Sequence, residues 1–253
     1  KKIFFVFCYL LLFNSKGLAL VEVDITRGNL DPLPIAVSPL YVESNTAEIK
    51  NIYGLVEGSQ EELETIQKYL VPSKSKLLLW DDANENNIKN INLNNFKIIH
   101  FATHGELAGT IKGQNEPFLV LTPPKIGTSE NDGLLTMSEI MNLQNNAELV
   151  ILSACNTAGG NIKQSEGFSG LARAFLFSGS KSVLVSNWYV ETYAAMELTT
   201  NMMKQIKDNP KISTSKALSG SMKNFINNNK EKSHPFYWAP FVIVGLNSNI
   251  NLN

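Results

Sequence analysis

Residues 96–105 read FKIIHFATHG and residues 147–160 read AELVILSACNTAGG, and the fold turns on what these two stretches share. Each opens as a short apolar run and stops abruptly among small and polar residues. The first stops at Thr103-His104-Gly105, the second at Ser153-Ala154-Cys155. LVIL is apolar without alternation and too short for a helix of ordinary length, which reads as a strand buried on both faces. Strands of that kind belong to parallel sheets covered by helices.

Working outward, the chain alternates strand and helix signals from about Asn51. IYGLV, KLLLW, KIIHFAT, EPFLVLTPP, AELVILSA, KSVLVSN and YWAPFVIVG read as strands. SQEELETIQKYL (Ser59 to Leu70) reads as a helix capped by the Ser59 hydroxyl, with Glu61 and Glu62 at the positive end of its dipole. MSEIMNLQ, SEGFSGLARAFLFSG with a glycine stop at Gly179, TYAAMELTTNMMKQIKD and STSKALSGSMKNFINN supply further helices. The expectation is an α/β protein, a mostly parallel sheet with helices on both faces.

In such a sheet reactive groups collect beyond the carboxyl ends of the strands. His104 and Cys155 both fall there, 155 − 104 = 51 residues apart, enough for a crossover helix and an extra hairpin. A cysteine of ordinary pKa is only a few per cent thiolate at neutral pH, so an imidazole within reach changes its chemistry. The histidine can take the thiol proton and guide it to a leaving amine. The backbone N–H groups of Gly105 and Cys155 are the candidate oxyanion donors, worth about 2.7–4 kcal/mol each in other enzymes. Read singly, a cysteine after an apolar strand is core packing and a histidine there is a structural hydrogen-bonder. Asp132 and His234 read as turn residues, Ser153 and Asn156 as shapers of the bend. His100 lies on a strand, so it makes no helical zinc pair with His104.

Composition narrows the class. The chain has 253 residues, 43% hydrophobic and 18% charged, with a net charge of −1, which gives no electrostatic footprint for nucleic acid. It has 2 cysteines and 3 histidines. That excludes a disulfide framework and argues against a zinc site, so no metal and no cofactor are expected. The first residues combine KK, the apolar block Ile3–Phe13 and small residues at Gly17 and Ala19. This is the order of an export signal cleaved after Ala19; a hydrophobic first helix is the alternative. The apolar block is too short for a bilayer span. Cleavage would remove Cys8 and leave Cys155 as the lone thiol. Leu20–Tyr41 reads as two strands joined by the turn chemistry of RGNLDPLP.

Two resemblances follow from these motifs. HFATHG, DGLLTMSEI, LVILSACNTAGG, EGFSGLARAFLFSGSKSVLVSNW and HPFYWAPFVIVG stand in the order found in the CHAT family. These are caspase-like domains, often attached to tetratricopeptide repeats and similar to caspases, separases and gingipains. The resemblance runs from about Gly54 to Gly245. It implies a caspase-like three-layer α/β/α sandwich, a His104/Cys155 dyad and peptide-bond hydrolysis through a thioester. A protein or peptide substrate is then the expected partner; the sequence leaves the oligomeric state open. SAC stands where caspases have QAC, so aspartate specificity does not carry over. Members usually show Trp-Pro-Val-Asp-Asp after the following strand, where this chain has NWYVETYA. Glu191 is therefore read as holding a basic substrate side chain or as a helix-start glutamate, and Trp188 as a pocket wall.

The other resemblance is of the first 40 or so residues to the start of TolB, the periplasmic protein of the Tol–Pal system, although no propeller repeat follows. The expected organisation is a signal at 1–19, TolB-like leader strands at 20–50, the CHAT domain at 51–247 and a tail at 248–253. PIAVSPLY (Pro34 to Tyr41) is then either the first core strand of the domain or part of an incomplete one. The leader points to export and the family resemblance to the cytoplasm. The leading functional expectation is a cysteine endopeptidase. The rival is a catalytically silent interaction domain of the same fold.

Overall fold

The structure is a computed structural model. It describes residues 34–37 (backbone), 58–128, 130–153 and 165–252. The expected signal, the first leader strand, the IYGLV strand, Cys8, Cys155 and Asn156 lie outside the described residues.

The central sheet has six strands in the order β2-β1-β3-β7-β8-β9. Strand β1 (Pro34–Val37) lies between β2 (Lys76–Leu78) and β3 (Ile98–Phe101) and is parallel to both. PIAV is thus a core strand of the sheet. Strands β7 (Leu149–Leu152) and β8 (Ser182–Ser186) continue the parallel run, and β9 (Phe241–Gly245) closes the edge antiparallel to β8. A 2-1-3 order reverses the winding between β1 and β3, which places the crevice of a doubly wound sheet beside the carboxyl end of β3. A second sheet of three antiparallel strands consists of β4 (Gly105–Glu106), β5 (Phe118–Val120) and β6 (Leu134–Thr136).

Seven α-helices are described: α1 (Ser59–Lys68), α2 (Glu85–Asn90), α3 (Met137–Asn142), α4 (Ser165–Phe177), α5 (Thr192–Asp208), α6 (Thr214–Asn228) and α7 (Pro235–Trp238). Alternation along the strands sorts them into layers. Ile99, Phe101, Val150 and Leu152 face one way and pack with α2, α3, α4 and the small sheet. There the Phe101 and Phe175 rings meet at 5.5 Å. Ile98, Leu149, Ile151 and Leu184 face the other way and pack with α1, α5 and α6. Side chains of β3, β7 and β8 are buried on both faces, which is why their sequences carry no alternation. The result is the expected three-layer α/β/α sandwich.

Local rules explain most helix ends. Thr136 and Glu139 form a reciprocal capping box at the start of α3. Asp132 accepts from the Leu134 N–H at 2.8 Å, and Gly133 takes φ 96°, so NDG turns as expected. His234 accepts from the Phe236 N–H and caps α7, so YW precedes the last strand in a short helix. One expectation is corrected at α1. The N-cap is Gly58, which takes φ 78° and makes no side-chain cap; Ser59 is the first helical residue and is buried. The chain enters α1 by a left-handed step that a serine cap would not permit at low cost.

Candidate active site

The register of two neighbouring strands builds the site. Phe101 on β3 lies beside Leu152 on β7, and the pairing continues with the Ser153 N–H donating to the Phe101 carbonyl at 2.9 Å. His104 stands three residues past Phe101, and Cys155 three residues past Leu152. Strands β3 and β7 therefore end side by side, at the same level and at the carboxyl edge, with the described part of the second stretch stopping at Ser153.

His104 is held by the small sheet. Its carbonyl accepts from the Val120 N–H at 2.8 Å, while the Thr103 hydroxyl donates to the Val120 carbonyl. Thr103 is buried and His104 is half-buried. The same register makes His104/Val120 a hydrogen-bonded pair of the antiparallel ladder, so Gly105, beside Leu119, is a non-hydrogen-bonded position. The Gly105 N–H consequently turns away from β5. That orientation keeps the donor out of the ladder.

Trp188 and Glu191 follow β8 and so share the carboxyl edge, with β7 between them and the histidine strand. The Trp188 indole N–H donates to the Phe236 carbonyl at 3.0 Å. Glu191 is the N-cap of α5, accepting from the Ala194 N–H at 3.1 Å, and its carboxylate lies 3.1 Å from Lys232 Nζ. That ammonium also sits 4.6 Å from the centre of the Tyr193 ring and 5.8 Å from that of Tyr237. An acid with two aromatic faces is a setting that suits a cation. Glu191 thus has a structural task at the helix start and a basic partner within the chain.

Three features of this edge were not read from the sequence. Trp80, just past β2, is a non-glycine residue at φ 54°, and its carbonyl accepts from the Thr122 hydroxyl at 2.7 Å. Next, a buried polar cluster joins Glu62, His100, Ser153 and Thr199. Last, Glu106 on β4, two residues past His104, is only 6% exposed. Burial pushes its carboxyl up from 4.5 to about 7, against the opposing hydrogen bond from Thr110. A sequence gives no sign of this, since GEL looks like any polar strand end.

Glu106 has a consequence for stability. A carboxyl whose folded pKa is raised stabilises the fold below its unfolded value, near 4.5, and that stability is lost as pH rises through about 7. The loss is on the order of 2–3 kcal/mol. Glu106→Gln is expected to flatten this part of the pH–stability curve. At pH 8 it should melt several degrees above the parent, by calorimetry, while at pH 4 the two should nearly coincide.

Among the described residues no three His, Cys, Asp or Glu side chains are grouped to hold a metal ion, and no helix is long and apolar enough to cross a membrane.

The α/β/α sandwich is a caspase-like fold, with His104 at the carboxyl edge of its sheet. The CHAT domain model matches residues 27–246, and the chain belongs to that family. The chain is 28% identical over 182 residues to tetratricopeptide repeat protein 28 of Mus musculus and 27% identical to its Homo sapiens counterpart. Each match covers 61% of this chain, but the chain spans only 7% of those relatives' length. A separate stretch of 44 residues is 50% identical to the Tol-Pal system protein TolB of Pelagibacter ubique (strain HTCC1062), covering 17% of this chain and 10% of that one. Among solved structures, the Arg-specific cysteine proteinase gingipain R superposes with a TM-score of 0.55 at 11% identity, covering 86% of this chain and 47% of that one. The complex of Porphyromonas gingivalis RgpB pro- and mature domains gives 0.53 at 10% identity, covering 86% and 48%. These likenesses concern the fold.

Proposed function

We propose that this chain is a cysteine endopeptidase acting through His104 and Cys155. The observation that carries the reading is the shared register of β3 and β7, which end together at one edge of the sheet at Phe101 and Leu152, each three residues before a proposed dyad member in the sequence. The fold likeness to a cysteine proteinase supports it.

In the proposed reaction the Cys155 sulfur, having given its proton to the His104 imidazole, adds to the scissile carbonyl carbon. Negative charge moves to the carbonyl oxygen, where the N–H groups of Gly105 and Cys155 stabilise it. Collapse breaks the C–N bond, and the amine departs with the proton from His104, leaving a thioester. His104 then takes a proton from water as its oxygen attacks the thioester carbon. The carboxylic acid product leaves and the thiol is restored. No metal or cofactor enters these steps. Glu191, with Trp188 as a wall, is assigned to a basic substrate side chain, which would take the place Lys232 now occupies beside the carboxylate.

A peptidyl electrophile tests the assignment. Incubation under reducing conditions should give one adduct mapped to Cys155 by peptide mass spectrometry, with electrophiles carrying Arg or Lys next to the warhead reacting fastest. Absence of a selective adduct would favour the second reading, a CHAT domain that binds without cleaving. That reading draws on the likeness to tetratricopeptide repeat protein 28.

A further inference from the structure

The face of the sheet that packs against α1 and α5 is mainly apolar, with the buried serines Ser182 and Ser186 on β8 and one buried carboxylate. Glu62 reaches in from the first turn of α1 and is 3% exposed. Its Oε2 accepts from the Ser153 hydroxyl at 3.0 Å, and its Oε1 accepts from the Thr199 hydroxyl of α5 at 2.6 Å. His100 Nε2 on β3 lies 3.0 Å from the same Oε1. His100, Ser153 and Thr199 are each no more than 5% exposed. One carboxylate therefore ties α1 to α5 and to the exit of β7, with the His100 ring against it but not hydrogen-bonded to it.

Such a cluster is a poor way to gain stability. A buried carboxylate loses its hydration, and apolar side chains of similar volume would often leave the fold as stable or more so. What distinguishes this cluster is its position. Ser153 is the residue at which β7 leaves the sheet, and His100 lies four residues ahead of His104 on the neighbouring strand. Ser153 is fixed twice, by its N–H to Phe101 and by its hydroxyl to Glu62. The nucleophile assigned above lies two residues further along, within about 7 Å of chain. The placement of Glu62 in the first turn of α1 also puts its charge where the helix dipole favours it.

We infer that Glu62 and Ser153 are positioning residues for the proposed dyad: the Ser153–Glu62 bond sets the point from which the cysteine segment departs relative to His104. The inference rests on the endopeptidase reading. Thr199 supplies the matched control. It faces the same carboxylate from α5, and its other hydrogen bonds, to the Ala195 and Met196 carbonyls, stay within that helix, so losing it weakens the cluster without removing the Ser153–Glu62 bond.

The experiment compares Ser153→Ala with Thr199→Val in the full chain, reading peptide cleavage, the rate of Cys155 carboxamidomethylation located by mass spectrometry, and thermal unfolding. Both variants should lose similar stability. Ser153→Ala is expected to lower kcat roughly 10- to 100-fold with KM within about twofold, the scale of a small misplacement of a reacting group. Thr199→Val should stay within about threefold of the parent. Ser153→Thr, which keeps the hydroxyl, should recover most of the loss. Equal kcat for Ser153→Ala and the parent, or equal losses in Ser153→Ala and Thr199→Val, overturns the inference. Should Ser153→Ala not fold, the parent is compared with Ser153→Thr and Glu62→Leu, which has no acceptor for the Ser153 hydroxyl. A Glu62→Leu variant as active as the parent then overturns it. Cys155→Ala separates the two levels: a variant that still cleaves rejects the dyad itself, whereas its inactivity alongside an unaffected Ser153→Ala rejects the positioning role alone.

Discussion

Cys155→Ala is expected to abolish peptide cleavage, and His104→Ala to lower kcat by about 10²- to 10⁴-fold, with both proteins retaining the parent's circular dichroism and melting temperature to within a few degrees. The difference in depth follows from the chemistry assigned to each group. Without the sulfur no thioester can form, so the covalent route is closed. Without the imidazole the thiol still ionises to the extent its own pKa allows, and a small thiolate fraction continues to attack. His104→Ala should therefore regain rate as pH approaches the ordinary thiol range near 8.5, whereas Cys155→Ala should not respond to pH at all. Fold retention is expected of His104→Ala because its side chain is only half-buried and the contacts that hold the His104 backbone come from its own carbonyl and from Thr103. The measurement is the steady-state cleavage of a fluorogenic peptide by each variant across pH 6 to 9. Wild-type rates in both variants would remove the endopeptidase reading and leave a binding domain.

Most of the fold was legible because burial on both faces leaves a plain mark in sequence. LVIL could be read as a strand buried on both faces, KIIHFAT and KSVLVSN as strands of the same sheet, and Gly179 as a helix stop. The capping box at Thr136 and the helix cap at His234 emerge only in the structure. The dyad expectation came from the same source, since each candidate closes such a strand. The parts that were not legible depend on distance along the chain. Glu62, Ser153 and Thr199 look like ordinary helix-start, bend and helix residues, and only the packing of α1 and α5 against the sheet brings them together. Glu106 illustrates the same limit for electrostatics, because its raised pKa arises from burial under residues that no local pattern names. Glu191 was open between pocket acid and helix start. Its N-cap bond gives it the second task, and the pairing with Lys232 shows it also meets a cation.

The second large effect is expected far from the dyad, at Gly179. The residue ends α4 with φ 118°, and an added Cβ would stand 2.0 Å from the Asn145 carbonyl oxygen. That oxygen belongs to a clamp and has little room to retreat. The Asn145 N–H donates to the Ser178 carbonyl at 3.0 Å, and its side-chain amide donates to the Ser178 hydroxyl at 2.6 Å. Its side-chain oxygen accepts from the Ala147 N–H at 3.1 Å. The clamp joins the end of α4 to the approach to β7, and the Lys181 N–H to Ala147 carbonyl bond at 2.8 Å then leads into β8. Gly179→Ala combines the backbone penalty of a non-glycine residue at positive φ with a collision against main chain, about 4 kcal/mol in all. For a domain of this size that corresponds to a fall in melting temperature of about 8–16 °C. Gly109→Ala is the contrasting case. Its φ is 83°, yet an added Cβ meets nothing within 4 Å, so only the backbone term applies, about 1 kcal/mol. Calorimetry on the two variants checks the argument. Equal, small losses in both would mean that the Asn145 clamp yields freely, and that the junction of α4 with β7 and β8 is softer than its hydrogen bonds imply.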